Sequence, residues 1–328
     1  MEQTENLILV QETQEPAELD NTATVEQANS QFITANTIPC SLRAIKSSHI
    51  IPVFVKDNEP VISHAEFIEA TYDVVEDIFY GEQISSPAIR LSHPIKGRIP
   101  SARNKPAIEL LEDEKTLYYE RMAFVIEIPS IQDRVDENTL SLTVGGVKAY
   151  NLDNLNTKKG TDEHFKVFIG FKNKVCTNLC VWTDGYQDDL KVQGIGQLKA
   201  CIKSIIEGYN AIHHLFHLKQ LSSQYITGHQ FATLLGRARI YQYLQTDQKK
   251  QIPALLFGDN QLGIICREYS RANSGMGEIS LWDLYNLLTG ANKSSYIDQF
   301  LERSVNAFEF TEQLRHALEG HSSNWYLQ

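Results

Sequence analysis

Residues 164–182 read HFKVFIGFKNKVCTNLCVW, and they constrain the fold more than any other stretch. Phe165, Val167, Ile169 and Phe171 recur at every second position, with Lys166, Gly170 and Lys172 among the residues between them. A two-residue period sends alternate side chains to opposite sides, so this pattern predicts a strand with one buried face. Asn173 and Lys174 break it, and a second apolar run follows at 175–182. An acidic, glycine-containing link then opens the longest helical pattern in the chain. The β-rich and helical parts of the protein therefore meet here. The stretch describes a scaffold and carries no reactive grouping.

Upstream, Tyr118, Met122, Phe124, Ile126 and Ile128 share one side of a strand predicted over 117–128. Leu140, Leu142 and Val144 lead into Gly145-Gly146, and Val147 and Ala149 return. Two glycines supply the positive φ angles of a type I′ turn, so a hairpin is predicted over 139–151. A short strand at 50–55 carries Pro52 and reads as an edge. These elements predict a mostly antiparallel sheet.

Helix signals dominate the remainder. Ser63 and Glu66 form a capping box, with Ile62 and Phe67 as a hydrophobic staple. Phe67, Thr71, Val74 and Ile78 mark the buried side of that helix, and Gly81 stops it. Leu198, Ile202, Ile205, Tyr209, Ile212 and Phe216 alternate spacings of four and three, which predicts one seam about six turns long. Thr227 with Gln230 opens a second helix, and Ser280 with Asp283 another that Gly290 ends. A helix over 259–269 and two C-terminal ones, through Phe300 and Leu301 and through Phe310, Leu314 and Leu318, complete the pattern. The predicted class is α+β: a mostly antiparallel sheet in residues 36–190, followed by an all-helical part, 191–328, packed on it as one unit.

Charge separates off the start of the chain. Residues 1–42 hold seven acids and no Lys or Arg, and so account for seven of the eleven net negative charges. Residues 1–35 are rich in Glu, Gln, Thr and Asn, a composition that predicts a disordered acidic tail. No apolar run is long enough to span a bilayer and no signal-peptide pattern is present, so no membrane partner is expected. Five cysteines, an odd number, predict a reduced, cytoplasmic protein with buried thiols.

Few residues present chemistry. His213 and His217 stand four apart on a helix and could share a metal ion, but no third ligand is identifiable, and a solvated role is the simpler reading. Asp184, Asp188 and Asp189 could hold Mg²⁺; a polar hinge explains them as well. Gly194 and Gly196 before a helix lack a phosphate-binding fingerprint. No catalytic residue, metal ligand or cofactor is assigned from the sequence. The strongest candidate is the acid-free stretch 83–108, QISSPAIRLSHPIKGRIPSARNKPAI, kept out of regular structure by four prolines. Arg90, His93, Lys96, Arg98, Arg103 and Lys105 lie in it, and Arg237 and Arg239 of the GRAR helix could join the same surface. Such a composition can follow a DNA or RNA backbone. The competing reading is a connecting loop whose charges are paired elsewhere in the fold.

Five segments carry a resemblance: LSHPIKGRIP at 91–100, YYERMAFVIEIPSI at 118–131, VGGVKAYNLDNL at 144–155, FKVFIGFKNKVCTNLCVWTDG at 165–185 and ISLWDLYNLLTGANKSSYIDQFL at 279–301. They resemble a family of Bacteroidetes proteins of unknown function that also occur on mobile elements, and more distantly the phage/plasmid-like family. The resemblance implies a cytoplasmic protein whose partners are DNA or element-encoded proteins, and it brings no catalytic residues. Three readings follow, in this order: a non-catalytic nucleic-acid-binding protein, a structural protein that engages protein partners through its helices and acidic tail, and a metal-dependent enzyme.

Overall fold

The computed structural model describes residues 31–48, 62–92, 94–102, 104–150, 162–272 and 277–328. The first part contains β1 (Ile38–Cys40), α1 (Leu42–Ser48), α2 (His64–Ile78), β2 (Ala88–Leu91), β3 (Pro94–Arg98), β4 (Lys115–Tyr119), β5 (Arg121–Val135), β6 (Asn138–Ala149), β7 (Glu163–Asn173) and β8 (Leu179–Val192). The second contains α3 (Ile195–Gly208), α4 (Ala211–Leu221), β9 (Tyr225–Ile226), α5 (Gly228–Tyr241), α6 (Thr246–Lys249), α7 (Asp259–Ala272), β10 (Ile279–Ser280), α8 (Leu281–Asn292) and α9 (Ile297–Leu318). A six-stranded sheet runs in the order β1-β2-β5-β6-β7-β8, each neighbouring pair antiparallel. The class is α+β, as the sequence predicts. The second part, however, is not all-helical: β9 pairs with β10 through Ile226 and Ile279.

Helices cover both faces of the sheet. On the first, Phe67 of α2 meets the rings of Phe124 and Phe165 at 5.1 and 4.7 Å, and α3 adds Leu198 and Ile202 to the same cluster. The capping box that starts α2 forms as its spacing dictates. Glu66 N donates to Ser63 Oγ at 3.2 Å, and Ser63 N donates to the Glu66 carboxylate at 2.7 Å. On the second face, Phe300, Leu301 and Val305 of α9 pack with Phe32, Ile33, Val125, Phe168 and Val181.

That second layer corrects the expectation of a solvent-facing side to β7. Lys166 and Lys172 are each 7% exposed. Lysine stems can lie along apolar surface when their ammonium groups find partners. Lys166 pairs with Asp188 at 2.9 Å and with Glu302 of α9, and Lys172 pairs with Glu127 at 2.9 Å.

The glycine pair is not a turn. β6 runs straight through it, with Gly145 opposite Phe168 and Gly146 opposite Val167 of β7. A Cβ on Gly145 would stand 2.8 Å from the Phe168 ring, and one on Gly146 2.5 Å from the Phe67 ring. The two glycines thus open slots for two phenylalanines, one on each face. The turn joining β5 to β6 lies at Asp136, whose φ of 54° is the left-handed region that Asp tolerates.

Other boundaries also move. The six-turn seam divides, because Asn210 caps α4 by accepting from His213 N at 3.0 Å, and Ile212 and Phe216 lie exposed. The two C-terminal patterns form one helix, α9, and Gly290 sits inside α8 instead of ending it. The acidic link at 183–190 continues β8. Stretch 83–108 is not mainly irregular: it contains β2 of the main sheet and β3, which pairs with β4. Residues 31–35 belong to the fold, since Phe32 and Ile33 are buried and Thr34 N donates to the Lys293 carbonyl at 2.8 Å. The remainder of the expected tail and the expected strand at 50–55 lie outside the described residues.

Candidate functional site

The fold places the described basic residues of 83–108 in different settings. Arg90 sits on β2 and is 6% exposed, so it does not join an accessible strip. Lys105 forms an ion pair with Glu114, which has the connecting-loop character that competed with nucleic-acid binding. Lys96 and Arg98 lie two apart on β3, register partners of Leu117 and Lys115. His93 and Arg103 lie outside the described residues. In α5, Arg237 lies over the Trp325 ring at 5.3 Å and donates to the Trp325 carbonyl, while Arg239 pairs with Asp259 at 3.0 Å. Among the described residues, Arg90 (through Thr37), Lys105, Arg237 and Arg239 thus have partners within the chain.

The histidines pack around one indole. His213 and His217 stand 5.0 and 5.2 Å from Trp182, and His217 Nδ1 meets Glu312 at 2.8 Å. His214 is fully buried, and its Nδ1 meets the Tyr209 hydroxyl at 2.6 Å. Burial, with smaller contributions from His217 and His213, lowers its pKa to about 3. Asp188 is tied to Lys166 and Tyr186, and Asp189 to His164 and Lys191. Among the described residues, no three His, Cys, Asp or Glu side chains converge as a metal site. The five cysteines are free thiols, and only Cys180 is fully buried.

Sequence reasoning missed a cavity of about 600 Å³ where the β7–β8 turn meets α7 and α8. That volume lies within the range of small-molecule sites. Ile264 and Leu287 supply apolar wall, while Glu268, Glu278, Asp283, Asn178, Asn286 and Lys293 supply polar groups. Lys293 caps the C-terminus of α8, where the last carbonyls favour a cation. Its Nζ donates to Thr177 Oγ1 at 2.8 Å and to the Cys176 carbonyl, and among the described residues no carboxylate pairs with it. Burial lowers its pKa. Asn178 Nδ2 donates to the Asn286 carbonyl at 3.0 Å, which fixes the turn against α8. Cys176 also lines the cavity, but burial raises its pKa and keeps it a thiol, the unreactive form. In sequence these walls read as an apolar run, a helix and a capped helix, and only folding brings them together.

The arrangement defines an α+β protein with a polar cavity at the edge of a doubly covered antiparallel sheet. More specifically, the chain belongs to DUF3871, a domain of unknown function described from a B. theta gene, whose family model matches residues 13–327. The Bacteroidetes side of the resemblance is thereby shown; the phage/plasmid-like side has no counterpart in the match. No curated protein and no solved structure matches the chain. Among the described residues, no helix is long and apolar enough to cross a membrane.

Proposed function

We propose that this chain is a binding protein that takes a small polar molecule in the cavity between the β7–β8 turn, α7 and α8. The observation that carries the reading is the convergence of three carboxylates, two amides and one half-buried ammonium on a cavity of about 600 Å³ with apolar wall beside them. Arg271 takes up the charge of Glu268 at 2.6 Å, which leaves Glu278 and Asp283 against Lys293, so the cavity favours a ligand bearing an amine. Gly290 lines it, and a Cβ there would find Asn178 only at 3.8 Å. Gly290→Leu should therefore fill the cavity while suiting the helix better than glycine does. A thermal-shift screen of small amines and amino acids is expected to find compounds that raise the wild-type melting temperature but not that of Gly290→Leu. Equal shifts in both proteins would remove the cavity from consideration.

A second reading, nucleic-acid binding, is supported by Lys96, Arg98 and Lys115 on the paired strands β3 and β4. Lys115 stands opposite Arg98 in the register, although Glu112 pairs with it. Anisotropy of labelled DNA at about 50 mM salt tests it, because phosphate contacts strengthen as salt falls. Loss of that signal in the Lys96→Glu, Arg98→Glu double variant supports it; no signal in the wild type ends it.

A further inference from the structure

A second cavity, about 330 Å³, is bounded by residues 31–32, β1, β2, β5 and β7. Arg90 lines it. Its Nε donates to Thr37 Oγ1 at 3.0 Å and its Nη2 to the Thr37 carbonyl at 2.8 Å. A guanidinium has five N–H donors, and those of Nη1 meet no acceptor among the described residues. No described carboxylate pairs with Arg90 either, although it is 6% exposed. Lys172 lines the same cavity, but Glu127 takes up its charge at 2.9 Å. Glu127 is held in its charged form: burial acts to raise its pKa, yet hydrogen bonds from Ser141 and Lys172 prevail and lower it. Arg90, Lys172 and Glu127 therefore leave one positive charge uncompensated against a cavity. The free donors of the guanidinium face the cavity, where an anion can meet them at a smaller desolvation cost than a group fully exposed to water would bear.

We infer that this cavity is an anion-binding site that takes a small molecule carrying a carboxylate or phosphate group on the Arg90 guanidinium. The guanidinium is a planar fork whose spacing matches the oxygens of either group. Thr37 grips the fork from the chain segment leading into β1 and holds its plane, so the ligand meets an oriented donor set. Ser85 and Ser86 line the same cavity beside it. The site is distinct from the cavity at α7 and α8 and does not depend on that reading.

Calorimetric titration of the full chain with inorganic phosphate, and separately with acetate, at constant ionic strength tests the site and distinguishes the two sources of charge. One saturable site per chain is expected for at least one of them. Arg90→Lys keeps the charge and loses the fork, so binding should weaken roughly tenfold or more. Glu127→Gln raises the local charge and should tighten it. Absence of saturable binding by the wild type up to about 10 mM of either probe overturns the inference. So does equal affinity in Arg90→Lys, or an unchanged affinity in Glu127→Gln. If Arg90→Lys does not fold, the wild-type titration and Glu127→Gln decide between them.

Discussion

The ring of Phe67 occupies the space that a side chain at Gly146 would need: a Cβ there would stand 2.5 Å from Phe67 Cζ. The Lys166 carbonyl lies on the same approach at 2.7 Å. Helix α2 is thereby locked against strand β6, and Phe67 reaches on to Phe124 and Phe165.

Gly146→Ala is accordingly expected to destabilise the protein by about 1–3 kcal/mol, the usual cost of overpacking a closed core. Urea unfolding measures it. Adding Phe67→Leu should recover part of the loss and not all, because the carbonyl contact remains. A double-mutant cycle showing no coupling between the two positions would mean that the ring and the glycine are not partners.

The same pair shows where sequence reasoning succeeds and fails. Signals confined to a few consecutive residues were legible: Ser63 with Glu66, Thr227 with Gln230 and Ser280 with Asp283 all cap the helices they announce. The alternation around Phe165 was legible too. The meaning of Gly145-Gly146 was not, because two glycines locally spell a turn and only a distant phenylalanine makes them a slot. Arg90 looked like part of a basic strip until β2 paired with β5 and carried it inward. The large cavity was hidden for a related reason. Its walls come from 176–178, 264–272 and 278–293, and no one of them reads as a site alone.

Ile202 and Ile212 separate the two descriptions of residues 198–216. One continuous seam would bury both, whereas Ile202 is 0% and Ile212 82% exposed. Ile202→Asp should cost roughly 3 kcal/mol or more, as an unpaired charge in an apolar contact does. Ile212→Asp should stay within about 0.5 kcal/mol of wild type. Thermal melts of the two variants check this; similar losses in both would restore the unbroken helix.

His214 should make stability fall with acid. Its folded pKa, about 3, lies below its ordinary value of 6.5, chiefly through burial. The unfolded chain therefore binds the proton first. The contribution is fully present above about pH 6.5 and is lost progressively as pH falls toward 3. By pH 5 the loss from this group is on the order of 2 kcal/mol. Glutamine does not titrate and its amide can bond the Tyr209 hydroxyl in either role, so His214→Gln should show a flatter profile between pH 7 and pH 5. Denaturant midpoints at both pH values measure the difference. Parallel profiles for the two proteins would show that His214 is not the titrating group.

The segment 31–36 should behave as an integral strap. Phe32 and Ile33 are 1% and 0% exposed, packed among Val125, Phe168 and Phe300, and Thr34 N and Ala35 N both donate to the Lys293 carbonyl. Full burial of side chains of this size is worth about 1.5–3 kcal/mol each. A chain beginning at Thr37 is therefore expected to be several kcal/mol less stable than one beginning at Gln31. The comparison also bears on Arg90, because Gln31 and Phe32 wall its cavity. Removing them opens the guanidinium to water, which competes for the donors and screens the charge. Phosphate or acetate should then bind the chain from Gln31 as it binds the full chain, and bind the chain from Thr37 more weakly. Urea midpoints and anion titrations on the two truncated chains decide both points. Equal midpoints would mean that the segment only rests on the sheet, and equal anion affinities would place the binding somewhere other than this cavity.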